Sequence, residues 1–222
     1  DVRWAAWGSQ AADQACSWVM TRDHPMPPAS PMGQIGARTV GTVFANSQNR
    51  HSAPGICTLS GDGLLRLFRA TGETRHMDLL RDIARALPQF VSLADEPVGG
   101  MRPGWMNERV NTCDWEACWM RDVGDIFIGS CWCESSLLLT IVEVPGVYVR
   151  TDLGRVWACD HVDAELVGGR LRLANRTRFD ATVTVLAEDA AAARRALPFD
   201  ALWGVRQVEV AAGASVEVDV RG

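Results

Sequence analysis

What the sequence lacks sets its first bounds. No apolar run approaches the ~20 residues that span a bilayer, and the opening DVRWAAWGSQ has none of the basic-then-apolar pattern of a secretory signal. No cluster of basic residues appears, and the formal charge of −5 is mildly acidic, so the electrostatic footprint for nucleic acid or an anionic membrane is missing. The expectation is a soluble chain with neither nucleic acid nor membrane as partner. An even cysteine set is also missing. With 7 cysteines at least one has no mate in the chain, and a chain of 222 residues needs no disulfide framework, so the thiols read as mostly reduced and buried. The sequence does not begin with Met, which reads as a processed start or as a piece of a longer polypeptide.

Apolar residues make up 47% of the chain, enough for a core. Helical spacing dominates the first part. Trp4, Trp7, Ala11, Ala15, Trp18 and Val19 form a stripe expected to lie on a core, and Pro25, Pro27, Pro28 and Pro31 then break the helix. Ile56, Leu59, Leu64, Leu67 and Phe68 predict a helix stopped by Gly72, with Asp62 inside it. Met77, Leu80, Ile83, Ala84 and Leu87 predict the next helix, over residues 73–87, and so short a link predicts an antiparallel helical hairpin. Phe44 to Pro54 reads as a polar loop and 129–142 as a helix, while 105–119 fits loop or helix equally. After Pro145-Gly146 the period changes to two. Seven short alternating runs separated by turn residues such as Gly168-Gly169 predict an antiparallel β-sandwich, with a helical or loop insertion at 189–197. Two domains are therefore expected, a helical segment over 1–145 and a strand-rich module over 146–222.

The stretch GWMNERVNTCDWEACWMRDVGDIFIGSCWCESSLLLTIVEV, from Gly104 to Val144, is the chemically dense one. It interleaves tryptophan and cysteine with Asn, Glu, Arg and Asp, and polar groups in that company are either hydrogen-bonded in a core or lining a cleft. Cys113-x4-Cys118 and Cys131-x-Cys133 lack the spacing of paired zinc knuckles, so no metal or other cofactor is expected.

GLLRLFRATGETRHMDLLRDIARAL is similar to one hairpin of the α/α toroids of six-hairpin glycosidases and related polysaccharide lyases. SQNRHSAPGICTLSGDGLLRLFRATGE, GWMNERVNTCDWE and GSCWCESSLLLTIVEVPGVYV together resemble the C-terminal portion of bacterial six-hairpin glycosidase-like proteins, over roughly residues 40 to 165. The resemblance implies a partial (α/α)6 toroid followed by the sandwich. It also implies a carbohydrate substrate, and a missing N-terminal part of the same protein as the partner covering otherwise bare helices.

Glycoside hydrolysis requires two carboxyl groups, one as acid and one as base or nucleophile. Glu108, Asp114 and Glu116 are the candidates, since burial beside an indole favours the protonated acid; the competing structural roles are an ion pair of Glu108 with Arg109 or Arg102 and a helix cap at Asp114. Asn49, Arg50, His51 and Asn107 are candidate substrate contacts, with Arg50 suited to a uronic carboxylate and His51 to a lyase proton transfer. Trp105, Trp115, Trp119 and Trp132 are candidate stacking platforms, and Glu134 either points into the same cleft or caps its neighbours. Three functions follow as expectations: a carbohydrate-active hydrolase, a lyase acting on uronic-acid glycans, and a non-catalytic carbohydrate-binding or scaffolding fragment.

Overall fold

The computed structural model describes residues 2–44, 51–53, 62–111, 122–128, 131–195 and 206–220. In chain order the first elements are helix α1 (Val2–Cys16), helix α2 (Pro31–Gln34), strand β1 (Val43–Phe44), strand β2 (His51–Ala53), helix α3 (Asp62–Thr71) and helix α4 (Thr74–Ala86). Strands β3 (Arg109–Asn111) and β4 (Ile126–Phe127) and helix α5 (Trp132–Glu143) follow. The remainder is β5 (Val147–Arg150), β6 (Arg155–Ala158), β7 (Asp163–Val167), β8 (Arg170–Ala174), β9 (Ala181–Glu188), helix α6 (Ala190–Ala193), β10 (Arg206–Val210) and β11 (Ser215–Asp219). Two compact units result. The first contains Asp1–Ala6, Asp62–Arg81 and Ile141–Gly222, and the second contains Trp7–Gly61 and Asp82–Thr140.

In the first unit two sheets form, with strand orders β10-β9-β5-β6 and β11-β8-β7. Alternation explains their burial: Val147, Val149, Val183, Val185 and Val210 from one sheet and Leu171, Leu173 and Val218 from the other gather in a single apolar cluster. The β7–β8 hairpin turns on Gly168 and Gly169, at φ of 59° and 82°, the left-handed pair that a two-residue turn requires. Helix α3 is fastened to this assembly by a buried ion pair. Arg69 Nε and Nη2 donate to the Glu188 carboxylate at 2.7 and 3.0 Å, with both side chains about 95% removed from solvent. Tyr148 donates its hydroxyl to the same carboxylate at 2.6 Å. Phe68 stands edge-on to Tyr148 and Trp157, at centroid distances of 5.7 and 5.3 Å, and Trp157 Nε1 donates to Asp78 at 2.9 Å. Every buried polar group in this cluster thus has a partner, as a low-dielectric interior demands.

The second unit is built on Met32, Leu87, Phe90, Val98, Met101, Met106, Val110 and Cys133. Its sheet, in the order β1-β2-β3-β4, is antiparallel throughout and made of strands two or three residues long. Asp23 clamps the chain ahead of β1, accepting from the Thr39 and Val40 amides and from Arg38 Nε. Ser30 caps α2, whose first residue is Pro31, so a proline expected to break a helix also begins one.

Several expectations hold element by element. Helix α4 buries Met77, Leu80, Ile83 and Ala84, α3 stops at the left-handed Gly72, and all seven alternating runs are strands. The architecture drawn from them does not hold. No α/α toroid exists among the described residues, where six helices, two of them four residues long, accompany three small sheets. Helix α3 packs on α6 and bonds to the end of β9 through Arg69 and Glu188, where the hairpin reading gave it α4 as a partner. The antiparallel β-sandwich expectation is also overturned, because β5 runs parallel to β9, Val147 opposite Val185, inside the sheet ordered β10-β9-β5-β6. Alternation reports which face of a strand is buried but not which strand lies beside it, so the parallel pairing left no trace in the sequence. Within 1–145 the four-stranded sheet was missed, because strands this short carry no measurable alternation. Helix α1 forms as expected, yet Trp4, Trp7 and Trp18 are exposed and Ala12 is its buried residue. Asp62 is the first described residue of α3 and binds Arg66 at 2.6 Å, so it sits in a first turn and not mid-helix.

Removing one partner of the buried pair leaves the other charge stranded, so Arg69→Ala is expected to cost about 3–5 kcal/mol in denaturant unfolding. Burial, reinforced by the Glu188 carboxylate that accepts its hydroxyl, pushes the Tyr148 phenol far above its ordinary value of 10.0. A raised folded value means a stability contribution that is complete below pH 10 and is lost as the pH climbs beyond it. Tyr148 is the one tyrosine of the chain, so phenolate absorbance reports it alone. Alkaline titration is expected to show phenolate appearing together with unfolding, followed by circular dichroism, and not as a separate earlier step.

Candidate functional site

The described part of the tryptophan-rich stretch lies, up to Thr140, in the second unit, and its start is positioned by Ser92. This fully buried serine bonds through its hydroxyl to the Met101 carbonyl and the Val98 amide, and through its backbone to Trp105 and Gly104. The turn so fixed holds Trp105 at the surface, 49% exposed. The next residue, Met106, is fully buried, pairs with Val91 across an isolated bridge, and donates its amide to Glu134 Oε1 at 2.8 Å. Glu134 lies in the first turn of α5, where a carboxylate is also favoured by the helix dipole.

Asn107 and Glu108 follow, both buried. Asn107 Nδ2 donates to the Arg109 carbonyl at 3.1 Å, whereas Asn107 Oδ1 and Glu134 Oε2 are buried without a hydrogen-bond partner among the described residues. The Glu108 amide is bonded to Phe127 of β4, and its Oε1 accepts from Arg109 Nε at 3.1 Å and Nη2 at 3.0 Å. The Arg109 guanidinium also stands 5.4 Å from the centroid of Phe127. Glu108, 6% exposed, is thus hydrogen-bonded to a neighbouring guanidinium, the ion pair weighed above as its structural role. Arg109, one of the two arginines weighed against it, is the partner.

The remaining candidates are for the most part outside the described residues. His51 is in β2, its backbone opposite Asn111 of β3 and not in a polar loop; its side chain is outside the description, as is that of Trp132, the first residue of α5. Asn49, Arg50, Asp114, Trp115, Glu116 and Trp119 lie outside the described residues. Of the candidate set, the structure brings together Asn107 and Glu108, with Glu134 beside them and Trp105 at the rim. Two members of the same network escaped sequence reading. Ser92 gave no signal, and the buried Asn111, whose Nδ2 donates to the Asp122 carbonyl at 3.0 Å, was visible only as one more asparagine. No group of three or more His, Cys, Asp or Glu suited to a metal ion occurs among the described residues. Cys133 and Cys159 are buried, but Cys16 and Cys131 are exposed.

A cavity of about 520 Å³ lies elsewhere, in the first unit, on the face of the β11-β8-β7 sheet turned away from the apolar cluster. Asp163, Glu165, Arg172, Ala174, Arg176 and Ser215 line it. Arg170 and Arg172 alternate along β8 with the buried Leu171 and Leu173, and nothing in the sequence marked this face as concave.

No protein-family model, curated protein or solved structure matches this sequence. The resemblance to six-hairpin glycosidases is thereby overturned along with the toroid. Its motifs were short helices and glycine stops, which many unrelated folds use for the same physical reasons. As to a membrane, no helix among the described residues is long and apolar enough to cross one.

Glu134→Ala removes the acceptor of a buried amide and is expected to cost about 1–3 kcal/mol of stability. Glu134→Gln, which keeps an acceptor oxygen, is expected to restore most of that loss in the same unfolding experiment.

Proposed function

We propose that the chain is a non-catalytic carbohydrate-binding module. The observation that carries this reading is the division of labour around Trp105. Two carboxylates close to it in the fold are committed inward, Glu108 to Arg109 and Glu134 to the Met106 amide, while the indole is left facing solvent. An indole held on a short, hydrogen-bonded turn offers a flat apolar surface at little entropic cost, the arrangement that packs on the C–H face of a sugar ring. Trp7 and Trp18 of the same unit are also exposed, at 59% and 42%.

Hydrolysis by paired carboxylates is the competing reading, in which Glu108 acts with Asp114 or Glu116. One experiment separates the two. A panel of neutral and uronic-acid oligosaccharides is tested for both binding and cleavage, with wild type, Trp105→Ala and Glu108→Gln. Binding without cleavage is expected, weakened about tenfold by Trp105→Ala, a loss of ~1.4 kcal/mol. Glu108→Gln is expected to lower the melting temperature and leave affinity unchanged. Cleavage that disappears in Glu108→Gln would establish the hydrolase instead.

A further inference from the structure

The cavity in the first unit has a composition that selects its ligand. On the outward face of the β11-β8-β7 sheet, register places Asp163 and Ser215 on either side of Ala174, and Glu165 beside Arg172. Ala174 has only a methyl group where its strand neighbours carry long side chains, so it forms a low apolar floor, with Arg172 at one end and Arg176 at the other. Asn175 fixes the end of β8. It is fully hydrogen-bonded, donating to the Phe179 and Val210 carbonyls and accepting from the Thr177 amide and hydroxyl, while its backbone amide donates to Ala214 of the β10–β11 turn.

Around that floor the polar groups meet in pairs. Arg176 Nε donates to Asp163 Oδ2, and Arg172 Nη1 lies 3.4 Å from Glu165 Oε1. Each of these contacts joins one carboxylate oxygen to one guanidinium nitrogen, and all four side chains are more than half exposed. Donors and acceptors therefore stand side by side, each arginine next to a carboxylate. A hydroxyl group both donates and accepts, so adjacent hydroxyls on a ring satisfy such a pair, the carboxylate taking the O–H and the guanidinium giving to the oxygen. The charges cancel, two acidic against two basic, and an ionic ligand gains no net attraction. The volume is within the usual span of small-molecule sites, about 300–1,000 Å³.

We infer that this cavity is a binding subsite for a neutral sugar residue, with the Ala174 methyl under the ring and the Asp163–Arg176 and Glu165–Arg172 pairs on its hydroxyls. This rests on the carbohydrate-binding reading and gives it a ligand class, neutral and not uronic, at a place apart from Trp105.

Calorimetric titration of the full chain tests it, with glucose, mannose and galactose hexasaccharides, their monosaccharides, and a galacturonic acid hexasaccharide. Ala174→Leu fills the floor, Asp163→Asn removes a carboxylate, and Trp105→Ala serves as the comparison; circular dichroism verifies that each variant is folded. The expected result is binding of at least one neutral hexasaccharide or its monosaccharide, weakened about tenfold or more by Ala174→Leu and by Asp163→Asn, with the uronic hexasaccharide weaker. Asp163→Asn preserves size, so it keeps the test decisive if Ala174→Leu does not fold. Neutral-sugar binding that both cavity variants leave intact overturns the subsite while the carbohydrate reading stands, and preference for the uronic hexasaccharide overturns its ligand class. If wild type binds none of the sugars, the carbohydrate reading itself falls.

Discussion

The strand-rich unit depends on a carboxylate buried almost entirely away from water. Glu188, at the end of β9, is acceptable there because Arg69 and Tyr148 both donate to it, and because Arg69 arrives on α3 from a distant part of the chain. A buried ion pair of this kind adds little net stability compared with apolar groups of the same size, since desolvating both charges is costly. What it does is specify. Only one placement of α3 against β5 and β9 satisfies the guanidinium, the carboxylate and the phenol together, and that placement also sets Phe68 against Tyr148 and Trp157. All 22 basic residues of the chain are arginine. At this position that matters, because the planar fork meets both carboxylate oxygens, as a lysine ammonium would not.

The second unit is governed by the same accounting on a smaller scale. Its four-stranded sheet is too short to hold itself by backbone pairing, and side chains complete the network: Ser92 for the turn before Trp105, Glu134 for the Met106 amide, Asn111 for the Asp122 carbonyl. Polar residues that look like chemistry in the sequence are here the means by which irregular backbone is buried at all. Asn107 Oδ1 and Glu134 Oε2 are the places where that completion stops.

How much of this was legible in the sequence follows from what each signal measures. Helix α4 and the seven C-terminal strands were readable because their periods are sustained over several residues and describe a local property, which face is apolar. The parallel β5–β9 pairing and the docking of α3 on α6 and β9 were not readable, since they depend on partners far along the chain. Helix α1 marks a further boundary: its apolar stripe was real, but a stripe does not say that anything covers it, and Trp4 and Trp7 remain exposed. At the candidate site, the acid-and-indole composition directed attention to Asn107 and Glu108, and both are buried. The contacts of Glu108, its amide to Phe127 and its carboxylate to Arg109, run through a strand that gave no pattern.

The link between α3 and β9 also bears on the order in which the molecule assembles. Arg69 and Glu188 are 119 residues apart in the chain, and β5 meets β9 only after β6, β7 and β8 have been threaded between them. Contacts of such long range close slowly, because loop entropy is lost before any pairing repays it. During synthesis α3 therefore emerges well before the strand that neutralises its arginine. Its apolar side must wait in water or under a chaperone, and the unit locks late and as a whole.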